Sequence, residues 1–342
     1  MMTNKINLFS IWLHILGLSV ILIIIIGGYT RISDSGLSIT EWEPISGVLY
    51  PLSNQSWLNE FSKYKLTHEF KLVNSNMTLI DFKFIYFWEW FHRFFARIIG
   101  VIFLIPLLVM IFRKQFPKKF TVHVGIIGFL LMAQAIVGWY MVKSGLVDRV
   151  DVSHYRLSIH LINAFLILGV IIFTIVVSSY KFHDIEIKRS KNILILFSIF
   201  LFFQIFYGAF VSGTHSGLVS NTWPNYDGKL IPDDILDMIP VWMNFFENKN
   251  FILFFHRSFA FILLALIFIL NTNMLKNNIH RYSKIMLATL NLSFLLQIIL
   301  GIYMTYQNIP WYAALAHQGN SIILFSITIF FLSQSIKKLN SI

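Results

Sequence analysis

The sequence predicts an all-α polytopic membrane protein, with eight transmembrane helices arranged as two parallel-repeat four-helix bundles. Three observations carry that prediction. The 342-residue chain is 56% hydrophobic with only 13% charged residues and has a mean hydropathy of +0.69, more apolar surface than a soluble domain of this size can hide. Its apolar residues fall into eight runs, each near the ~20 residues that cross a hydrocarbon core. The last four runs also repeat features of the first four.

The spans are predicted over 8–28, 88–112, 122–142, 157–178, 192–212, 251–271, 283–304 and 315–335. They are helices because backbone groups in lipid must be satisfied within their own segment. The first follows MMTNKINLFS directly. No small-residue cleavage site or Arg/Ser-rich leader accompanies it, so it reads as an uncleaved span of a bacterial protein. The second opens on WFHRFFAR and stops before a basic loop; the third carries Gln134 and ends at Trp139 and Tyr140; the fourth opens at His160. The fifth follows the basic stretch ending at Lys191, and the sixth opens on FFHRSFAF. The seventh follows Arg281 and carries Gln297, and the eighth carries His317 near its start and stops before Lys337 and Lys338.

Orientation follows from where the basic residues sit. Loops 113–120, 179–191 and 272–284, with the two termini, hold Lys5, Arg113, Lys114, Lys118, Lys119, Lys181, Lys188, Arg189, Lys191, Lys276, Arg281, Lys284, Lys337 and Lys338. By the positive-inside rule both termini are cytoplasmic, and the long loops 29–87 and 213–250 are periplasmic. The net charge of +11 is therefore a topology signal and excludes no membrane role, whereas it gives no reason to expect nucleic acid as a partner. Cysteine is absent, which excludes disulfides, thiolate metal sites, iron–sulfur clusters and thioether haem attachment.

The repeat pairs WFHRFFAR (90–97) with FFHRSFAF (254–261), and Gln134–Gly138 with Gln297–Gly301. It also pairs DSGLS (34–38) with HSGLVS (215–220), and His160 with His317. Four spans return the chain to its starting side, so the halves, 1–180 and 181–342, are parallel repeats about an axis normal to the membrane.

His92, His160, His256 and His317 each lie near the outer end of an even-numbered span. An unpartnered imidazole is costly at that depth. A single histidine there is explained as well by interfacial anchoring; four at matched positions point to metal centres. Two imidazoles on separate helices can approach one haem iron from opposite faces, giving the pairs His92 with His160 and His256 with His317. Zinc or copper would be left short of ligands by two histidines per half.

Glu89 lies one helical turn before His92, and the second half has Leu253 in its place. A carboxylate at that depth is either paired, with Arg93 or Arg97, or functional. The asymmetry predicts different chemistry at the two sites. Arg31, Arg93, Arg97, Arg156 and Arg257 are candidates to bind haem propionates through paired hydrogen bonds, with Arg31 and Arg156 the better placed; snorkelling explains each of them equally well. His123, His154 and His215 break the repeat pattern, and His14, His68, His183 and His280 have no matched context.

The run GGYTRISDSGLSITEWEPISGVLYPLS at 27–53 resembles the signature that follows the first span in the haem A synthase family. FKFIYFWEWFHRFFARIIG (82–100), QAIVGWYMVKSGL (134–146), SHYRLSIHL (153–161), GAFVSGTHSGL (208–218), FFHR (254–257) and AHQ (316–318) extend the resemblance over nearly the whole chain. It is similar to the alphaproteobacterial and mitochondrial branch, since the cysteine pair of the Gram-positive branch is missing. The resemblance implies oxidation of the C8 methyl of haem O to a formyl group, by two successive hydroxylations, to give haem A for cytochrome c oxidase. It also implies that His92 and His160 hold the substrate haem O, that His256 and His317 hold a resident haem b with its iron, and that Glu89 is catalytic. Glu89 would then stabilise positive charge on the activated methylene or accept its proton.

Expected partners are the lipid bilayer, the haem O synthase (protohaem farnesyltransferase) that makes the substrate, and an electron acceptor the sequence does not name; the oligomeric state is left open, a homo-oligomer included. The expected location is the bacterial inner membrane. Two other readings stand beside this one. A dihaem b-type cytochrome in quinol electron transfer would carry similar histidines, but usually stacks its haems across the bilayer. A haem carrier or chaperone would bind haem without changing it, and would not need Glu89.

Overall fold

The computed structural model describes residues 8–42, 46–148, 150–179, 185–275 and 279–336. Lys5, Lys181, His183, Lys276, Lys337 and Lys338 lie outside the described residues. The described chain is nearly all helical: α1 (Leu8–Ile32), α2 (Asn54–Tyr64), α3 (His68–Leu72), α4 (Leu79–Phe112), α5 (Thr121–Asp148), α6 (His154–Ser179), α7 (Ile185–Arg189), α8 (Lys191–Thr214), α9 (Lys249–Leu275), α10 (Arg281–Tyr306) and α11 (Trp311–Ile336). Eight of these, α1, α4, α5, α6, α8, α9, α10 and α11, are long and apolar enough to cross a membrane. The chain is thus a multi-pass membrane protein.

Every span is longer than its apolar run. The largest difference is at α4, which begins at Leu79 rather than 88. Thr78 caps it: its Oγ1 accepts from the Asp81 N–H at 3.3 Å, and Asp81 Oδ2 accepts from the Thr78 N–H at 3.1 Å. Such a reciprocal cap starts a helix where polar residues would otherwise end it. The extra turns are held by an aromatic cluster, in which Trp57, Phe61 and Tyr64 of α2 pack on Phe82, Ile85 and Tyr86 of α4. Hydropathy could not see those turns, because their partners come from the loop before them. As a result His92 lies more than three turns inside its helix rather than at its start.

The chain divides into two compact units, and the division falls inside α1 and α6. Leu18–Ala164 form one; the described residues of Met1–Gly17 and Phe165–Ile342 form the other. In the first, α2 packs on α4 and α3 on α5; in the second, the main packing is α8 on α9, α10 on α11 and α11 on α8. Leucines and isoleucines such as Leu104, Ile105, Leu264 and Ile299 stay exposed, the outward apolar face that a lipid-embedded helix presents.

Local structure repeats between the units. The chain leaves α1 through Asp34 with φ 47° and leaves α8 through His215 with φ 57°. Both are left-handed residues at matched positions, a conformation Asp tolerates better than most residues. Ser35 and Ser216 follow them, each fully buried.

Candidate functional site

The first unit brings His92 of α4 and His160 of α6 together, with ring centroids 6.4 Å apart and planes inclined by 56°. Two metal–imidazole bonds of about 2 Å, plus about 1.2 Å from each nitrogen to its ring centre, span that separation. Each ring lies against a glycine of a neighbouring helix. A Cβ on Gly27 of α1 would sit 3.0 Å from His92 Cε1, and one on Gly138 of α5 would sit 3.0 Å from His160 Cε1. Any side chain there would push those rings back by a few tenths of an ångström. His160 is further set by Gln134, whose Nε2 donates to the His160 carbonyl at 3.1 Å while its Oε1 accepts from Asn163 Nδ2 at 2.6 Å.

The second unit repeats the arrangement. His256 of α9 lies within electrostatic reach of His317 of α11. Gly208 of α8 faces His256 Cε1 at 3.3 Å from its would-be Cβ, and Gly301 of α10 faces His317 Cε1 at 3.5 Å. Gln297 Nε2 donates to the His317 carbonyl at 3.1 Å, and Asn320 Nδ2 donates to Gln297 Oε1 at 2.7 Å. One difference is Gln204, whose Nε2 lies 3.4 Å from His256 Nε2; Ile23 occupies the matched position in α1.

All four histidines keep Nδ1 buried without a hydrogen-bond partner. Buried polar atoms are normally satisfied, so four orphans at repeated positions mark a place built for something else. The donor set is imidazole alone, two per unit, and in the first unit at a spacing one iron can bridge. The residues therefore fit haem, held by a histidine from each side, better than a four-coordinate zinc.

The units part company at Glu89. Its carboxylate is 3% exposed and takes three donors: Arg93 Nη2 at 2.6 Å on Oε1, with Ser38 Oγ at 2.7 Å and the Ile39 N–H at 2.8 Å on Oε2. The pairing with Arg93 weighed from sequence is thus present, and the loop after α1 completes it. Leu253, at the matched position, is buried and apolar.

The arginines have definite partners. Arg93 also donates to the carbonyls of Ile39 (3.3 Å) and Glu41 (3.4 Å). Arg257 does the same in the second unit, reaching the carbonyls of Thr222 (3.0 Å), Asn225 (3.4 Å) and Ser220 (3.4 Å). Each HR pair therefore joins a ring that faces inward to a guanidinium that ties down the loop after the preceding span. Arg31 pairs with Asp34 at 2.9 Å. Arg156 hydrogen-bonds Ser144 Oγ and lies over the Tyr140 ring. Arg97 sits on α4 with its Nη1 buried.

The sequence reasoning missed several residues here. The four glycines and the Gln–Asn pairs lie inside the matched motifs, so the repeat itself was the available signal. Ser38 was matched but given no role. Glu69, on short α3, gave no sequence signal at all. It is 5% exposed, and its Oε2 has no hydrogen-bond partner. Burial pushes its carboxyl up to about 8, and the charge of Glu89 adds to the rise.

Fold and site together define a polytopic membrane protein with two internally matched histidine pairs, one with a buried glutamate a turn before its first histidine and the other with a leucine there. The family model described as cytochrome oxidase assembly protein, COX15-CtaA, matches residues 10–329. The chain belongs to that family. Among curated relatives it is 40% identical over 333 residues to the heme A synthase of Wolbachia pipientis wMel, covering 94% of this chain and 91% of that one. It is 38% identical over 323 residues to the heme A synthase of Rhizobium rhizogenes, covering 93% and 87%. To the heme A synthase of Ehrlichia canis it is 36% identical over 325 residues, covering 94% and 92%.

Proposed function

We propose that this chain is a haem A synthase: a membrane oxidoreductase that converts the C8 methyl of haem O to a formyl group, giving haem A for cytochrome c oxidase. Relatives of that name match nearly its full length. The observation that carries the site assignment is the asymmetry between two otherwise matched histidine pairs. His92 and His160, with Glu89 beside them, hold the substrate haem O; His256 and His317, with Leu253 beside them, hold a resident haem b. When bound, a haem with two imidazole ligands supplies one-electron transfer and no open position for oxygen.

The chain's own residues do the rest. Gly27 and Gly138 set how far each ring can lie from its own helix. Gln134 and Asn163 hold the α5–α6 pair in register behind His160. Glu89, its oxygens occupied by Arg93, Ser38 and Ile39, is a fixed negative charge placed one turn from His92. Such a charge stabilises cationic character at the activated methylene, and being preorganised it needs no rearrangement when that character develops. Water supplies the oxygen, and the electrons go to a one-electron acceptor. Arg93 and Arg257 tie down the loop after the preceding span in each half and, with Arg31, Arg97 and Arg156, are the propionate candidates.

The two halves, 1–180 and 181–342, form two four-helix bundles in the inner membrane, with both termini cytoplasmic and the haem sites toward the periplasm. Supply of haem O by a protohaem farnesyltransferase follows from the substrate. The test is the haem profile of a strain lacking the protein, complemented with the wild type or with His92→Ala. Wild type restores haem A, while the variant leaves haem O. A purified protein that carries haem B alone, in a strain whose haem A is unaffected by its loss, supports the dihaem cytochrome instead.

A further inference from the structure

We propose that Glu69 is the proton-relay residue of the first site, carrying protons from the neighbourhood of Glu89 to the open cleft lined by Thr40, Glu41, Lys63, Leu66, Thr67 and Leu146. This rests on the haem A synthase reading, which creates the need for such a group. Oxidation of the methyl with water as oxygen source releases four protons and four electrons (RCH3 + H2O → RCHO + 4 H+ + 4 e−), the electrons passing to an external one-electron acceptor. The protons need a route out, and Glu89 is poorly placed to be their carrier because three donors already occupy its oxygens.

Glu69 has what Glu89 lacks. Its side chain is buried, and Oε2 points at no donor. The groups that face it are the Tyr64 hydroxyl from α2, the Glu89 carboxylate from α4, Asp34 after α1 and Asp151 before α6. No cation acts on it among those groups. The Tyr64 hydroxyl is itself positioned, accepting from Asn74 Nδ2 at 2.8 Å.

The cleft, about 360 Å³, is lined by chain neighbours of the residues that set the two carboxyl groups. Thr40 follows Ile39, whose N–H binds Glu89. Thr67 caps α3 through the Phe70 N–H at 3.2 Å, two residues before Glu69. Leu146 belongs to α5, on which α3 packs. Burial and the neighbouring carboxylates bring the Glu69 proton into exchange near pH 8, the range in which a relay must both load and unload. In each cycle the Glu69 O–H bond breaks toward cleft water, and the carboxylate left behind takes the next proton from the site.

The test uses full-length protein carrying Glu69→Gln or Glu69→Asp, with three readouts: bound haem content, rate of haem A formation against pH, and the solvent deuterium isotope effect. Glu69→Gln is expected to keep its haem, lose about tenfold or more in rate, and lose the ionisation near pH 8 from its profile. Glu69→Asp is expected to recover part of the rate with that ionisation displaced. Wild-type rate and profile in Glu69→Gln overturn the proposal, as does loss of haem in parallel with rate, which marks a structural role. If Glu69→Gln fails to fold, an unshifted profile in Glu69→Asp overturns it. Failure of the wild type to form haem A refutes the parent reading instead, so the two are separable.

Discussion

Replacing Gly138 with alanine is the sharpest test of how the histidines are seated. The new Cβ would lie 3.0 Å from His160 Cε1, where carbon atoms prefer about 3.5–4.0 Å. The ring must retreat by about half an ångström, or α5 and α6 must part. Overpacking of this kind costs about 1–3 kcal/mol, which is about 5- to 150-fold in an equilibrium constant. The ring is the mobile element, so the cost falls on metal ligation rather than on folding. Alanine also has the higher helix propensity, by about 1 kcal/mol, so Gly138→Ala should not unfold more easily than wild type.

Gly301→Ala is the internal control, because its Cβ would meet His317 Cε1 at 3.5 Å, an ordinary contact. The assay is the haem extracted from each purified variant, read with its visible spectrum. Gly138→Ala should lose haem O and haem A while keeping haem B, and Gly301→Ala should keep all three. Full haem O and A content with an unshifted spectrum in Gly138→Ala would refute the reasoning. So would an equal loss of haem B in Gly301→Ala.

Three other outcomes follow from the same geometry. Glu89→Gln should bind haem but stall, accumulating haem O or its hydroxymethyl derivative on extraction; normal haem A levels would remove Glu89 from the mechanism. Arg93→Gln leaves the buried Glu89 charge without its partner, a loss of about 3–5 kcal/mol. Arg257→Gln removes hydrogen bonds to carbonyls and the Thr305 hydroxyl and the contact with the Tyr226 ring, none of them to a buried charge, about 1–3 kcal/mol; thermal unfolding in detergent should rank them in that order. Glu69 makes stability depend on pH. Its carboxyl ordinarily titrates at 4.5 and is raised to about 8 in the folded chain. The contribution is therefore fully present below about pH 4.5 and is lost as pH rises through 8, on the order of 5 kcal/mol in all. Unfolding temperature should fall between about pH 4.5 and 8 in wild type, level off above that, and stay flatter in Glu69→Gln.

The sequence by itself determined the class of the protein and the number of its spans. Hydropathy is a local property, and a helix in lipid satisfies its own backbone, so eight apolar runs translate directly into eight helices. The repeat was equally legible. It singled out His92, His160, His256 and His317, and Leu253 opposite Glu89 exposed the difference between the halves. Motif likeness then indicated the reaction.

What only the tertiary structure decided was how those side chains are held. Gly27, Gly138, Gly208 and Gly301 matter because a ring from another helix fills the space a Cβ would take, and no local pattern records that contact. The start of α4 at Leu79 depends on α2 packing its aromatic face against it. Sequence leaves Arg93 between a propionate and Glu89; the fold brings Glu89 and the carbonyls of Ile39 and Glu41 to it. Glu69 lies in a polar stretch where a glutamate is expected to face water. Its burial, and with it any part in proton transfer, follows from α3 folding back onto α5.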